Sequence, residues 1–195
     1  MPNDYCTNLA KWLDTLLKTF LPHRFTTKDS FDFVEKLKEK NFKADKYFTS
    51  YDVESLFTQI PMDETIDFIC NSLPTSEIPI TKSTLKELLQ LACKNILFTF
   101  DNQLYEQFNG MCMGSNLGPT MAAFTMHMVE TQFTKTPLFY VRYVDDVLAV
   151  FHNKQESTDF LHHITNIQEH EENGKLNFLD VEIIKQGPKV LTKRI

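Results

Sequence analysis

The sequence predicts an α+β protein, an antiparallel sheet with helices packed on one face. Three observations carry that expectation. Apolar residues recur at helical spacing in several separate segments, two strand-rich stretches double back as hairpins, and no internal repeat or linker interrupts the 195 residues. With 42% hydrophobic residues and 17 Phe against 5 Gly, the chain can bury one sizeable core. That composition excludes a disordered or low-complexity segment and is most simply one domain.

The elements follow in order. Leu9, Trp12, Leu13, Leu16, Leu17 and Phe20 recur at i, i+3, i+4 spacing and give a first amphipathic helix. A second helix at about 30–40 lines one face with Phe31, Val34 and Leu37 after a cap at Asp29 or Ser30. Tyr47-Phe-Thr-Ser-Tyr-Asp52-Val53 is a strand ending in an acid. Pro61 and Asp63 open a helix carrying Ile66, Ile69, Cys70 and Leu73, and another at about 82–94 presents Leu85, Leu88, Leu89 and Ala92. Ile96–Phe100 and Leu104–Phe108 form a hairpin around Asp101-Asn102-Gln103. Pro119 suits the first position of a helix whose buried stripe is Met121, Ala122, Thr125, Met128 and Val129. A hairpin at 139–151, a polar helix at about 154–168, a strand at 176–184 and a turn at Gln186-Gly187-Pro188 complete the reading.

Within the hairpin Phe139-Tyr-Val-Arg-Tyr-Val-Asp-Asp-Val-Leu-Ala-Val-Phe151, Asp145 and Asp146 sit in an apolar run that tolerates adjacent carboxylates poorly without cations. One reading is an ordinary turn, where Asp is common. The other is a metal site, completed if the strand ending at Asp52 lies alongside. Three such acids suit nucleotidyl transfer, in which two divalent ions about 3.5–4 Å apart stabilise the attacking and leaving oxygens. Mg2+ takes oxygen ligands and needs only one or two carboxylates beside substrate phosphates.

Tyr143-Val144-Asp145-Asp146 resembles the catalytic hairpin of reverse transcriptases, and Asp52-Val-Glu-Ser-Leu-Phe57-Thr-Gln-Ile-Pro61 resembles the first catalytic motif of their Penelope-like retroelement branch. Gly110-Met-Cys-Met-Gly-Ser-Asn-Leu-Gly-Pro-Thr-Met-Ala-Ala123 is similar to the loop between them, and Lys175-Leu-Asn-Phe-Leu-Asp-Val-Glu-Ile183 to the family's next palm motif. The resemblance implies a polymerase palm with partial fingers and no complete thumb, with residues to about 45 as fingers and palm helices and about 46–195 as palm. It implies RNA-directed DNA synthesis with an RNA template, a DNA primer, a dNTP and two Mg2+ ions, Mn2+ being a substitute. Asp52, Asp145, Asp146 and the Val53 carbonyl would be ligands. Phe57 would stack beneath the incoming sugar and exclude a 2′-hydroxyl, with simple core packing as its alternative. Gly114 and Ser115 would approach the template strand or the nascent base pair, and Tyr143 and Val144 would flank the primer terminus, with ordinary strand residues as their alternative. The chain departs from the family's usual Ser-Pro-Leu-Ser-Pro with Ser115-Asn116-Leu117-Gly118-Pro119, which bears on loop rigidity, and it has Gly110 where many members carry Gln.

Charge fits a nucleic-acid enzyme least well, at −6 overall. Residues 1–50, 51–134 and 135–195 carry +2, −7 and −1, so the acid lies where the metal ligands should be. In the family, fingers supply the Lys and Arg that neutralise the triphosphate; Arg24 and Lys28 are the nearest here. Lys185, Lys189, Lys193 and Arg194 begin a basic stretch. The expectation is a retroelement fragment whose fingers and thumb come from other segments or another chain. A catalytically incompetent interaction module is the alternative. The four Cys form no zinc-ligand pattern and read as buried thiols, and His162-His163 with His170 form no metal array. No 18-residue apolar run or signal peptide is present, so the expectation is a soluble intracellular protein without a membrane role, and a nuclear one is compatible.

Overall fold

Among the described residues, the helical and strand periodicities resolve into sixteen elements. In chain order they are α1 (Tyr5–Lys18), α2 (Ser30–Lys40), β1 (Tyr47–Asp52), α3 (Leu56–Gln59), α4 (Met62–Ser72), α5 (Lys82–Cys93), β2 (Ile96–Phe100), β3 (Gln103–Gln107), α6 (Gly118–Glu130), β4 (Phe139–Tyr143), β5 (Asp146–Phe151), α7 (Lys154–Leu161), β6 (Ile167–His170), β7 (Lys175–Phe178), β8 (Val181–Gln186) and β9 (Lys189–Arg194). The structure, a computed structural model, describes residues 5–94, 96–107, 110–112, 114–133, 135–161, 167–170 and 174–195. The α+β class holds. The chain divides into two compact units, Met1–Pro22 with Ser55–Thr131 and His23–Glu54 with Gln132–Ile195.

In the first unit, α1 packs against α5 and α6, and α4 against the same two helices. Leu13, Leu17, Ile66, Ile69, Leu85, Leu89, Met121 and Phe124 are buried there. The buried stripe of α1 is Ala10, Leu13, Asp14 and Leu17, whereas Trp12, expected in the core, is 42% exposed. Asp14 explains the rotation: its carboxylate accepts the Thr120 hydroxyl at 2.5 Å and pairs with Lys18 at 2.6 Å, drawing that face of the helix inward. The β2–β3 hairpin turns through two residues, Asp101 and Asn102, both at positive φ, with Phe100 opposite Gln103. The expected three-residue turn shortens because Asp and Asn tolerate the left-handed conformation that a two-residue turn requires.

In the second unit, a four-stranded antiparallel sheet has the order β4-β5-β1-β6. Strand alternation puts Phe48, Val141, Leu148 and Val150 on one face, in a core with Phe33 and Leu37 of α2 and Leu176, Phe178, Val181 and Ile183 of β7 and β8. The opposite face carries Thr49 and Tyr51, whose hydroxyls bond Ser157 of α7 at 2.7 and 3.0 Å. Burial on both faces accounts for the nearly continuous apolar run of β5, while β1 places Thr49 and Ser50 among its aromatic residues.

Three expectations fail in this unit, the first being the single strand at 176–184, which turns at Leu179 and Asp180 into the paired strands β7 and β8. Asp29 caps α2 through the backbone N–H groups of Phe31 and Asp32, but the buried face is Phe33 and Leu37, and Phe31 is 64% exposed, its ring 5.2 Å from the Arg194 guanidinium. The helix expected to reach residue 168 ends at Leu161, and Ile167–His170 pairs with β1 as strand β6. His162 and His163 lie outside the described residues. Among the described residues, no helix is long and apolar enough to cross a membrane.

Candidate active site

β1 terminates at Asp52, and the β4–β5 hairpin turns through Val144 and Asp145, with Tyr143 opposite Asp146. The β1–β5 register sets Asp52 directly opposite Asp146. Opposed residues of an antiparallel pair leave the sheet on the same face, here the face of Phe48 and Leu148. The Val53 N–H donates to the Asp145 carbonyl at 3.3 Å, closing the end of the ladder. Residues 93 positions apart in sequence, Asp52 and Asp145, are thereby gathered at one end of the two inner strands. Asp52 is exposed, while Asp145 and Asp146 are half-buried. Tyr143 and Val144, 39% and 44% exposed, crown the turn where a ligand can reach them.

Among the described residues, no three His, Cys, Asp or Glu side chains already enclose a metal position. What the fold brings together is the backbone that carries the three acids. Carboxylate and carbonyl oxygens are the donors Mg2+ prefers, and like charges opposite one another on a ladder are destabilising until a cation offsets them. The donor set therefore fits a divalent-cation site.

The turn has an unusual residue. Val144 has φ +55° at the first turn position, where two-residue hairpins with one left-handed residue favour Gly. A β-branched residue there stores strain. Beneath it, the Arg142 guanidinium donates from Nη1 to the Val144 carbonyl at 3.1 Å, and Arg142 is only 2% exposed. Sequence reasoning passed over Arg142, although a cation inside Phe-Tyr-Val-Arg-Tyr-Val was the visible signal.

The segment Phe25–Thr27 runs parallel beside β4. Arg142 N–H donates to the Phe25 carbonyl at 2.7 Å and Thr27 N–H to the Arg142 carbonyl at 2.8 Å. Of the two expected triphosphate cations, Lys28 therefore continues toward the acid end of the sheet, whereas Arg24 lies in the other direction, its guanidinium 4.9 Å from the Phe25 ring centroid.

Phe57, Gly114 and Ser115 belong to the first unit. Phe57 is half-buried on the short helix α3, and its carbonyl accepts the Met111 N–H at 2.7 Å. A Cβ at Gly118 would sit 3.3 Å from the Phe57 ring, so the Gly that replaces the family's usual Ser makes room for it. Gly110 has φ +70°, and a Cβ there would collide with the Thr58 backbone. The absent Gln side chain thus has a packing reason. Gly114 is exposed at φ +87° with open space around it, and Ser115 holds the following turn, its Oγ accepting the Leu117 N–H at 3.3 Å and its carbonyl the Gly118 N–H at 3.2 Å. That loop is braced without the missing proline.

An antiparallel sheet with an acidic hairpin and flanking helices is a polymerase-type fold, and the comparisons agree. The family described as reverse transcriptase (RNA-dependent DNA polymerase) matches residues 1–185. The chain belongs to the reverse transcriptase family. Among solved structures it is similar to the telomerase of Candida albicans in complex with a TWJ fragment of telomeric RNA, with TM-score 0.72 and 11% identity over 100% of this chain and 38% of that one. It is also similar to an apo telomerase of Candida tropicalis truncated from its C-terminal domain, with TM-score 0.69 and 12% identity over 95% of this chain and 45% of that one. These identities show a shared fold, and the chain spans less than half of each. No curated protein sequence matches it significantly.

Proposed function

We propose that this chain is the palm of an RNA-directed DNA polymerase that adds dNTPs to a primer 3′-hydroxyl, of the Penelope-like branch on the strength of the segment Asp52–Pro61. The direct pairing of Asp52 with Asp146, next to Asp145, carries the reading. Asp52 and Asp145 would be the principal ligands, with Asp146 and the Val53 carbonyl completing the set. Two bound Mg2+ ions, or Mn2+, supply charge stabilisation at the attacking and leaving oxygens of an in-line displacement. The protein's own part is positional. The hairpin presents the acids on a braced turn, Tyr143 and Val144 face the primer terminus, and Phe57 packed on Gly118 disfavours a 2′-hydroxyl by steric clash. Gly114 leaves its strand of backbone open to the nascent pair. Lys28 is the better of the two candidate cations for the triphosphate. An RNA template, a DNA primer and a dNTP are the partners this requires, and fingers and thumb contacts from further segments or another chain would raise the rate by holding them in register.

Primer extension on an RNA template with Mg2+ or Mn2+ and labelled dNTPs tests the proposal. Extension by the chain that is lost in both Asp52→Ala and Asp145→Ala supports it. Extension unaffected by either substitution removes the three-Asp site from the reaction, and no extension from folded protein favours the incompetent interaction module instead.

A further inference from the structure

We infer that Arg142 is a positioning residue, the clamp that holds the strained hairpin turn and through it the Asp145 carboxylate. The inference rests on the metal-site reading above.

Four observations carry it. First, Val144 occupies a positive φ that a β-branched residue adopts only when its surroundings impose it. Second, the Arg142 Nη1 donates to the Val144 carbonyl, which belongs to the peptide plane joining Val144 to Asp145. A donor fixed there sets the orientation from which the Asp145 side chain departs. Third, Arg142 is itself held at both backbone groups by the Phe25–Thr27 segment. Thr27 in turn donates its hydroxyl to Asp32 of α2 at 3.0 Å, so the clamp is anchored to a helix N-terminus. Fourth, Arg142 pairs with Val147, one position out of phase with the Tyr143–Asp146 pair. Alternation sends its side chain to the face opposite Asp52 and Asp146, beneath the turn. From that buried place it acts on the acids through the backbone, and it is not placed to grip a substrate phosphate.

A Lys at this position keeps the charge but lacks the planar fork. A Met keeps the bulk and loses both charge and donor. The test is a Mn2+ titration of the full chain by electron paramagnetic resonance, with amide hydrogen exchange at Val53, whose N–H closes the ladder onto Asp145. Wild type is compared with Arg142→Met, Arg142→Lys, the double change Arg142→Met with Val144→Gly, and Asp52→Asn with Asp145→Asn.

Arg142→Met is expected to weaken Mn2+ binding about tenfold, the scale of one lost charge-assisted hydrogen bond, and to speed Val53 exchange without metal. Arg142→Lys, which keeps a cation in the buried site and so guards against simple unfolding, is expected to lose several-fold. Gly at 144 relieves the strain the clamp opposes, so the double variant should regain part of the affinity. Wild-type affinity and Val53 exchange in folded Arg142→Lys or Arg142→Met overturns the inference. If the Asp52→Asn, Asp145→Asn protein binds Mn2+ like wild type, the metal-site reading fails instead, and Val53 exchange still decides the clamp.

Discussion

Gly110 is where the chain has least freedom. Any side chain there meets both a positive φ and the Thr58 backbone, so Gly110→Ala should lower unfolding free energy by at least about 2 kcal/mol, read by urea denaturation. The contact between Phe57 and Gly118 acts more gently. Enlarging residue 118 to Ala moves the ring by a few tenths of an ångström, and if Phe57 selects the sugar, Gly118→Ala shifts the ratio of ribo- to deoxynucleotide incorporation while Phe57→Val raises ribonucleotide use far more. Unchanged ratios in both would return Phe57 to core packing. The thiols divide by burial. Burial pushes Cys70 up and Cys93 up to about 12, so both should resist iodoacetamide at neutral pH in the folded protein, while half-buried Cys6 and Cys112 react first.

At the scale of elements, α2 shows how a short helix is fixed by its ends. Asp32 accepts from Lys36, from the Lys28 N–H and from the Thr27 hydroxyl, and the Lys36 hydrogen bond chiefly holds its carboxyl down, at about 2. A carboxyl whose folded pKa lies below its unfolded value of about 4 stabilises the fold at neutral pH and loses that contribution as pH falls from about 4 through about 2. Asp32→Asn should therefore cost stability at pH 7 and little at pH 2, compared by thermal melts across that range. Asp29→Ala removes the cap and should cost about 1 kcal/mol. The cap was legible in the sequence, but the buried face was not. Phe31 and Phe33 are both large and apolar, and only the β7–β8 partner and the Arg194 stack decide which turns outward. The strand ending at Asp52 and the hairpin at Asp145 were legible because strand formers flank each acid. β6 was not, since Ile-Gln-Glu-His has no apolar alternation and joins the sheet through backbone pairing. The partition of site residues between two units likewise depends on contacts distant in sequence.

At the scale of the whole molecule, the second unit is nearly neutral, at −1, and the first carries −5. If the chain grips nucleic acid as proposed, the contacts fall to local basic segments such as Lys38, Lys40 and Lys43 with Lys185, Lys189, Lys193 and Arg194, where Lys43 and Lys189 form an isolated antiparallel bridge. Binding to a primer–template duplex should weaken by more than about tenfold between 50 and 200 mM salt, measured by fluorescence anisotropy. An affinity indifferent to salt would show that phosphate contacts do not carry it.

The pairing of Asp52 with Asp146 also determines which changes of chain length the protein can survive. The 93 residues between Asp52 and Asp145 can lengthen or shorten at their surface turns, because the ladder is indifferent to how far the chain travels before returning. Removing one residue from inside β1 or β5 is different: it slides the register by a step and turns one carboxylate to the opposite face of the sheet, away from the other. Surviving insertions and deletions in descendants of this chain should therefore collect in the connections and spare the two strands.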